Sequence, residues 1–244
     1  MQAISPAVRR SHAVLTMRDH NVEDYATLRD MDRTDVAVLD EADGACLDQI
    51  GQYLVSTDDW RRFAIWLLHK HFEPGAGEVF TERVITAPRG TRTTPVERSG
   101  HGMHATSMRF DSDVKSGVGV VAMEFSDRAD FGPSSSVSPD DEAVLAGISE
   151  RLQAHGKTER FGVRLIRNPL GLGDNEVLLE TCDITHRTLC CSVVERDDVR
   201  AVDAIESSWQ WTPSPNKTSS RPIQKCASLC WPMDDWHFDG HQPM

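Results

Sequence analysis

Apolar residues recur at three-to-four spacing in two places along this chain, at Leu47, Ile50 and Leu54 and again at Leu145, Ile148 and Leu152. That period puts each trio on one stripe of an amphipathic helix. Each helix has a start signal, Asp40-x-x-Asp43 or Ser138-x-x-Asp141. The first side-chain oxygen caps free backbone N–H groups, and the acid three residues later meets the positive helix end. Pro139 occupies a tolerated first-turn position, and His155-Gly156 provides a C-terminal stop. The pattern then changes to alternation. Phe161, Val163 and Leu165 share one strand face and Arg164 lies on the other, which predicts a strand over 161–167 with a counterpart over 63–72. Further strands are predicted over 78–85, 176–183, 188–194, 105–110, 205–211 and 118–125.

The two sets of elements are related by a shift of 98. Residues 43–83 match 141–181 without a gap, with Arg62 on Arg160, Phe63 on Phe161, Glu78 on Glu176 and Glu82 on Glu180. Self-similarity at a fixed period indicates a doubled unit. The expected fold is therefore α+β: a tandem pseudo-symmetric repeat of a helix followed by three to four mostly antiparallel strands, with the helices packed on sheet faces. The implied organisation is an irregular leader over 1–34, a first lobe over 35–130, a second over 131–225, and a tail over 226–244 rich in Cys, His and Trp. Residues 89–98, with Arg89, Arg92 and Arg98, read as a basic loop, and 212–222 as a polar loop.

Composition narrows the function classes. A formal charge of −12 repels phosphate backbones and no long Lys/Arg stripe offsets it, so nucleic acid is not an expected partner. No apolar stretch has a membrane-spanning length. The first 18 residues lack the apolar core of a secretory signal, so a cytoplasmic location is the expectation. In that compartment the six cysteines read as small buried side chains or metal ligands before they read as disulfides. The expected partner is a small molecule.

The halves differ most just after the first matched strand, where Leu68-His69-Lys70-His71 stands against Ile166-Arg167-Asn168-Pro169. His69 and His71, two apart on a strand, present both imidazoles to one side and suit a single metal ion. Glu78 and Glu82 on the next predicted strand can supply a carboxylate, and two histidines with one carboxylate leave positions open on Zn²⁺ or Fe²⁺. The surrounding segment departs from the first cupin motif in its glutamate spacing and in the helix before it, so no cupin role follows. Because Glu82 and Glu180 occur in both copies, they read first as scaffold. Two further groups carry ligand chemistry: Cys182, His186, Cys190 and Cys191, and the tail set Cys226, Cys230, His237 and His241. The tail set has the ligand order of a zinc clip but a short central spacer. His101 and His104 are additional imidazoles in the first copy. Two readings follow. One is a Zn- or non-haem-Fe-dependent enzyme acting on a small molecule through His69-x-His71. The other is a non-catalytic module that binds a small ligand or a protein, with structural His and Cys sites.

Overall fold

Strands, more than the two amphipathic helices, set the architecture. A computed structural model describes residues 15–30, 38–98, 103–114, 117–127, 137–166, 170–197, 204–215 and 222–230. Among these, the strands are β1 (Leu15–Asp19), β2 (Phe63–Leu67), β3 (Glu78–Thr86), β4 (Arg89–Glu97), β5 (Met103–Phe110), β6 (Val118–Asp127), β7 (Phe161–Leu165), β8 (Glu176–Asp183), β9 (Thr188–Glu195), β10 (Ile205–Thr212) and β11 (Ile223–Cys230). The helices are α1 (Val22–Ala26), α2 (Glu41–Ser56) and α3 (Glu142–Ala154).

The sheet runs β6-β3-β4-β9-β8-β11-β10-β2-β7-β5, and β5 pairs back onto β6. The result is a closed ten-strand barrel, with β1 added in parallel along the stretch of β6 that β3 leaves uncovered. This corrects the expected α+β fold of helix-and-strand lobes. The matched stretches contribute to one barrel, because β2 pairs with β7 and β4 with β9. Exchanging each of β2–β6 for the strand five places later leaves the set of pairings unchanged. Joining edge to edge at both ends removes the free edges that two separate small sheets would expose.

Two other features depart from the sequence reading. Residues 89–97 form β4 and not a loop. Its inward Thr91 and Thr93 are buried although polar, so the strand carries no hydrophobic alternation to announce it. The segment around the start of the expected tail belongs to β11, whose parallel pairing with β8 no local pattern encodes.

The helices form as their capping boxes and apolar stripes predict. Asp40 accepts from the Asp43 N–H at 2.6 Å, and Gly156 follows α3 at φ 64°. Leu47, Ile50, Leu54, Leu145, Ile148 and Leu152 pack against Phe63, Ile65, Phe161, Val163, Trp209 and Trp211 on one sheet face. The opposite face is the barrel lumen, since residues from seven strands, β2, β3, β4, β6, β7, β8 and β9, converge there on one pocket.

Two sets of crossed ion pairs tie the matched stretches together. Arg62 holds Asp141 at 2.5 Å through Nε, while Arg160 holds Asp43 at 2.8 Å. Each guanidinium stands just before a strand and reaches the capping acid of the other stretch's helix. In the same manner Arg187 holds Glu78 at 2.6 Å and Arg89 pairs with Glu176. Burial alone would raise the Asp141 carboxyl, but Arg62 and the Ser138 N–H hold it below the usual range.

Gly51 is fixed by close approach: a Cβ there would run into the Trp211 indole, whereas one at Gly44, on the same helix, meets open space. Gly51→Ala should therefore destabilise the protein by about 1–3 kcal/mol in chemical denaturation. Gly44→Ala should be neutral or stabilise by up to about 1 kcal/mol. Equal effects would remove the packing argument. The Asp141 pair makes a separate pH prediction. A carboxyl with a depressed folded pKa contributes stability above its unfolded pKa and loses it as pH falls. Asp141→Asn should cost about 1–3 kcal/mol near neutral pH, and the gap to wild type should close as pH drops below about 4.

Candidate metal centre

The two histidines follow β2, which ends at Leu67, short of the expected 72. Beyond Leu67 the backbone still follows its neighbour briefly, with the Leu68 N–H donating to Arg160 O, and then turns so that the Lys70 N–H donates to Arg29 O. The spacing of two nevertheless brings the imidazoles together: His69 Nε2 and His71 Nε2 stand 3.1 Å apart, with the ring planes at 82°. His69 Nδ1 donates to Leu67 O at 2.7 Å. That bond fixes the ring and its tautomer and leaves the Nε2 lone pair for a ligand role.

The carboxylate comes from the other half of the chain. Glu180 on β8 places Oε2 3.7 Å from His69 Nε2 and 3.9 Å from His71 Nε2. Its parallel neighbour on β11 is Cys230, whose Sγ lies 4.0 Å from His71 Nε2. The four donor atoms all lie within 4.8 Å of one another. Around a tetrahedral Zn²⁺, with bonds of about 2.0–2.3 Å, ligand atoms stand roughly 3.3–3.7 Å apart. The named pairs, at 3.1–4.0 Å, stand close to that range, and the widest separation must close by up to about 1 Å for all four atoms to share one ion.

Electrostatics supports the same arrangement. Burial, reinforced by the charge of His69 and opposed by Glu180, pushes the His71 pKa down to about 3, so its imidazole is the neutral form that a metal requires. Burial alone would raise Glu180, but His69, His71 and Arg164 together hold it at about 2. It is an ionised carboxylate in a buried place, and its Oε2 lies just beyond ordinary hydrogen-bond distance of both imidazoles. Burial raises the Cys230 thiol well above its ordinary value, so a metal bound there must displace the thiol proton. Arg164 donates to Glu124 at 2.9 Å and approaches Glu180 at 3.8 Å, and it also feels Glu82. Arg164 thus sits among three buried glutamates, Glu82, Glu124 and Glu180.

The other sequence candidates are not among the four clustered donors, although Cys191 faces Glu180 across the sheet and Cys182 Sγ lies 4.0 Å from His71 O. Glu78 accepts from Arg187 and from the Gly75 N–H. Glu82 is buried near Arg164 but is not one of the four clustered donors. Cys226 donates to Ser228 O at 3.2 Å and packs with Val177, Leu179 and Leu229. His237, His241 and His101 lie outside the described residues, and His104 is on β5. Cys182 faces Leu189 across the hairpin while Cys190 faces Thr181, a one-residue offset that turns the two thiols to opposite faces. His186 is exposed in the intervening turn, 2.7 Å from Asp183.

Sequence reasoning therefore reached His69 and His71, and put Glu180 and Cys230 to other uses. Glu180 gave no usable signal: on β8 it lies opposite the apolar face of Val177 and Leu179, so the local pattern reads it as solvent-facing, and only barrel closure makes that side the lumen. Cys230 had none either, because its place beside Glu180 depends on the β8–β11 pairing.

Comparison of the chain with protein-family models, with curated proteins and with solved structures gave no match.

A histidine with a depressed folded pKa costs stability below its unfolded pKa, because the unfolded chain takes up a proton that the folded one refuses. Metal-free protein should therefore lose stability as pH falls below about 6.5, the ordinary imidazole value. His71→Gln should show a shallower decline between about pH 7 and pH 5. Urea unfolding across that range measures both, and parallel profiles would mean that His71 takes up a proton in the folded state.

Proposed function

We propose that this protein binds a divalent transition-metal ion, Zn²⁺ before others, at His69, His71, Glu180 and Cys230, and acts on a small molecule admitted to the barrel lumen. The observation that carries the reading is the convergence of four donor atoms of suitable type within 4.8 Å, drawn from both halves of the chain. Two imidazoles, a carboxylate and a thiolate form a mixed set of the kind that borderline ions take in preference to Mg²⁺ or Ca²⁺. His69, His71 and Glu180 also line the lumen pocket, so the ion would be reachable from it. A metal there would supply a Lewis acid or lower the pKa of a bound water. The chain's own contribution is to hold the His71 imidazole neutral and Glu180 ionised, and to surround them with Trp66, Phe72 and Phe80, which limit water.

A purely structural role is the second reading, and Cys230 favours it, since four protein ligands close a tetrahedron. In that case removal of the metal would unfold the barrel and the loaded protein would admit no further ligand.

Protein purified without a polyhistidine tag and reconstituted with Zn²⁺ should carry close to one equivalent by elemental analysis. His71→Ala and Glu180→Gln should each weaken binding by more than about 100-fold, beyond the loss typical of outer partners. Cys226→Ser should leave it unchanged. Wild-type protein that retains no Zn²⁺, or variants that bind as wild type does, would overturn the proposal.

A further inference from the structure

We infer that the pocket-facing side of this metal centre takes a small oxyanion of carboxylate geometry, about the size of formate, with Arg164 and Thr93 as its protein partners. The inference rests on the metal reading above. His69, His71 and Glu180 line the pocket but Cys230 does not, so the thiol meets the ion from the far side and the near side faces open space.

The polar lining of that space is matched to an acceptor. Thr93 is 2% exposed and lines the pocket, and among the described residues its buried Oγ1 has no hydrogen-bond partner. Leaving a hydroxyl buried and unbonded is costly, so the position calls for a ligand atom or a water. Arg164 also lines the pocket. Its guanidinium has five N–H donors in a planar fork suited to a carboxylate. Its carboxylate neighbours are Glu124, which accepts at 2.9 Å, Glu180 at 3.8 Å and the nearby Glu82. The remaining oxygen-bearing side chains are already engaged. Glu124 accepts from Ser107 at 2.6 Å as well as from Arg164, and the Tyr25 hydroxyl donates to Met123 O at 2.7 Å. A ligand that donates finds few partners here, and one that accepts finds a metal, a guanidinium and a hydroxyl.

Size sets the upper bound. The pocket holds about 30 Å³, and one water needs roughly 10–15 Å³ of such space, which leaves room for two or three non-hydrogen atoms. Trp66, Phe72, Phe80 and Leu189 wall the rest and would meet any long or branched substituent. Charge fits as well. In the metal-free lumen Glu124 and Glu180 stand against Arg164 and Lys70, which leaves no net positive charge for an anion, so binding is expected to depend on the ion.

The test uses full-length protein loaded with Co²⁺, whose visible bands report coordination number and ligand type. Sodium formate should change those bands saturably, benzoate should not, and sodium chloride at equal ionic strength should not. Thr93→Val should weaken the formate response about tenfold or more, the loss expected of one hydrogen bond to a charged group, with its own formate-free spectrum as reference. If Co²⁺ loads to one equivalent and formate leaves the bands unmoved, the oxyanion site is overturned while the metal site stands. Equal responses to formate and benzoate would overturn the size argument and with it the pocket assignment. Failure to load Co²⁺ or Zn²⁺ would overturn the metal reading itself.

Discussion

A guanidinium buried inside a barrel demands compensation, and the demand made by Arg164 organises the lumen. It projects from β7, between Ala64 of β2 and Ser107 of β5 in the sheet, and is met by Glu124 from β6 and Glu180 from β8. An isolated charge in such a place would cost several kcal/mol, so an ionised carboxylate must stay close. That requirement helps hold Glu180 as an anion beside two imidazoles. Glu180 in turn stands between Arg164 and the histidine and cysteine donors.

The barrel puts these groups within reach because its halves interlock. His69 and His71 follow β2, Arg164 is on β7, and Glu180 and Cys230 are on β8 and β11. Separate lobes would keep the donors apart or bring them together across a loose interface. The β2–β7 and β4–β9 pairings make them part of one hydrogen-bonded cylinder, and the crossed pairs Arg62–Asp141 and Arg160–Asp43 anchor each helix to the opposite half. The likeness between the halves also sharpens the difference between them. Glu82 and Glu180 are counterparts at a shift of 98, yet only Glu180 lies among the clustered donors.

What the sequence made legible was local. Capping boxes and apolar stripes located α2 and α3, and alternation located most strands, because those signals are written in consecutive residues. The closed sheet was not legible, since closure depends on which edges meet, and two half-buried helices pack as readily on an open sheet. β4 was hidden for a different reason: its inward Thr91 and Thr93 serve a polar lumen and do not look like core. The same misreading affected the site. A repeated glutamate read as scaffold because shared residues are commonly structural, and the tail cysteines read as one group because they are near in sequence. His69 and His71 could be found because their spacing alone brings them together. Glu180 and Cys230 required the fold.

The central claim is that one ion binds His69, His71, Glu180 and Cys230 together, and zinc K-edge X-ray absorption of the loaded protein tests it most directly. The account predicts a single sulfur at about 2.3 Å with three protein nitrogen or oxygen neighbours near 2.0–2.1 Å and room for a fourth from water or a small oxyanion, and loss of the sulfur in Cys230→Ser. A first shell of nitrogen and oxygen alone in the wild type, or one with two or more sulfurs, would contradict it.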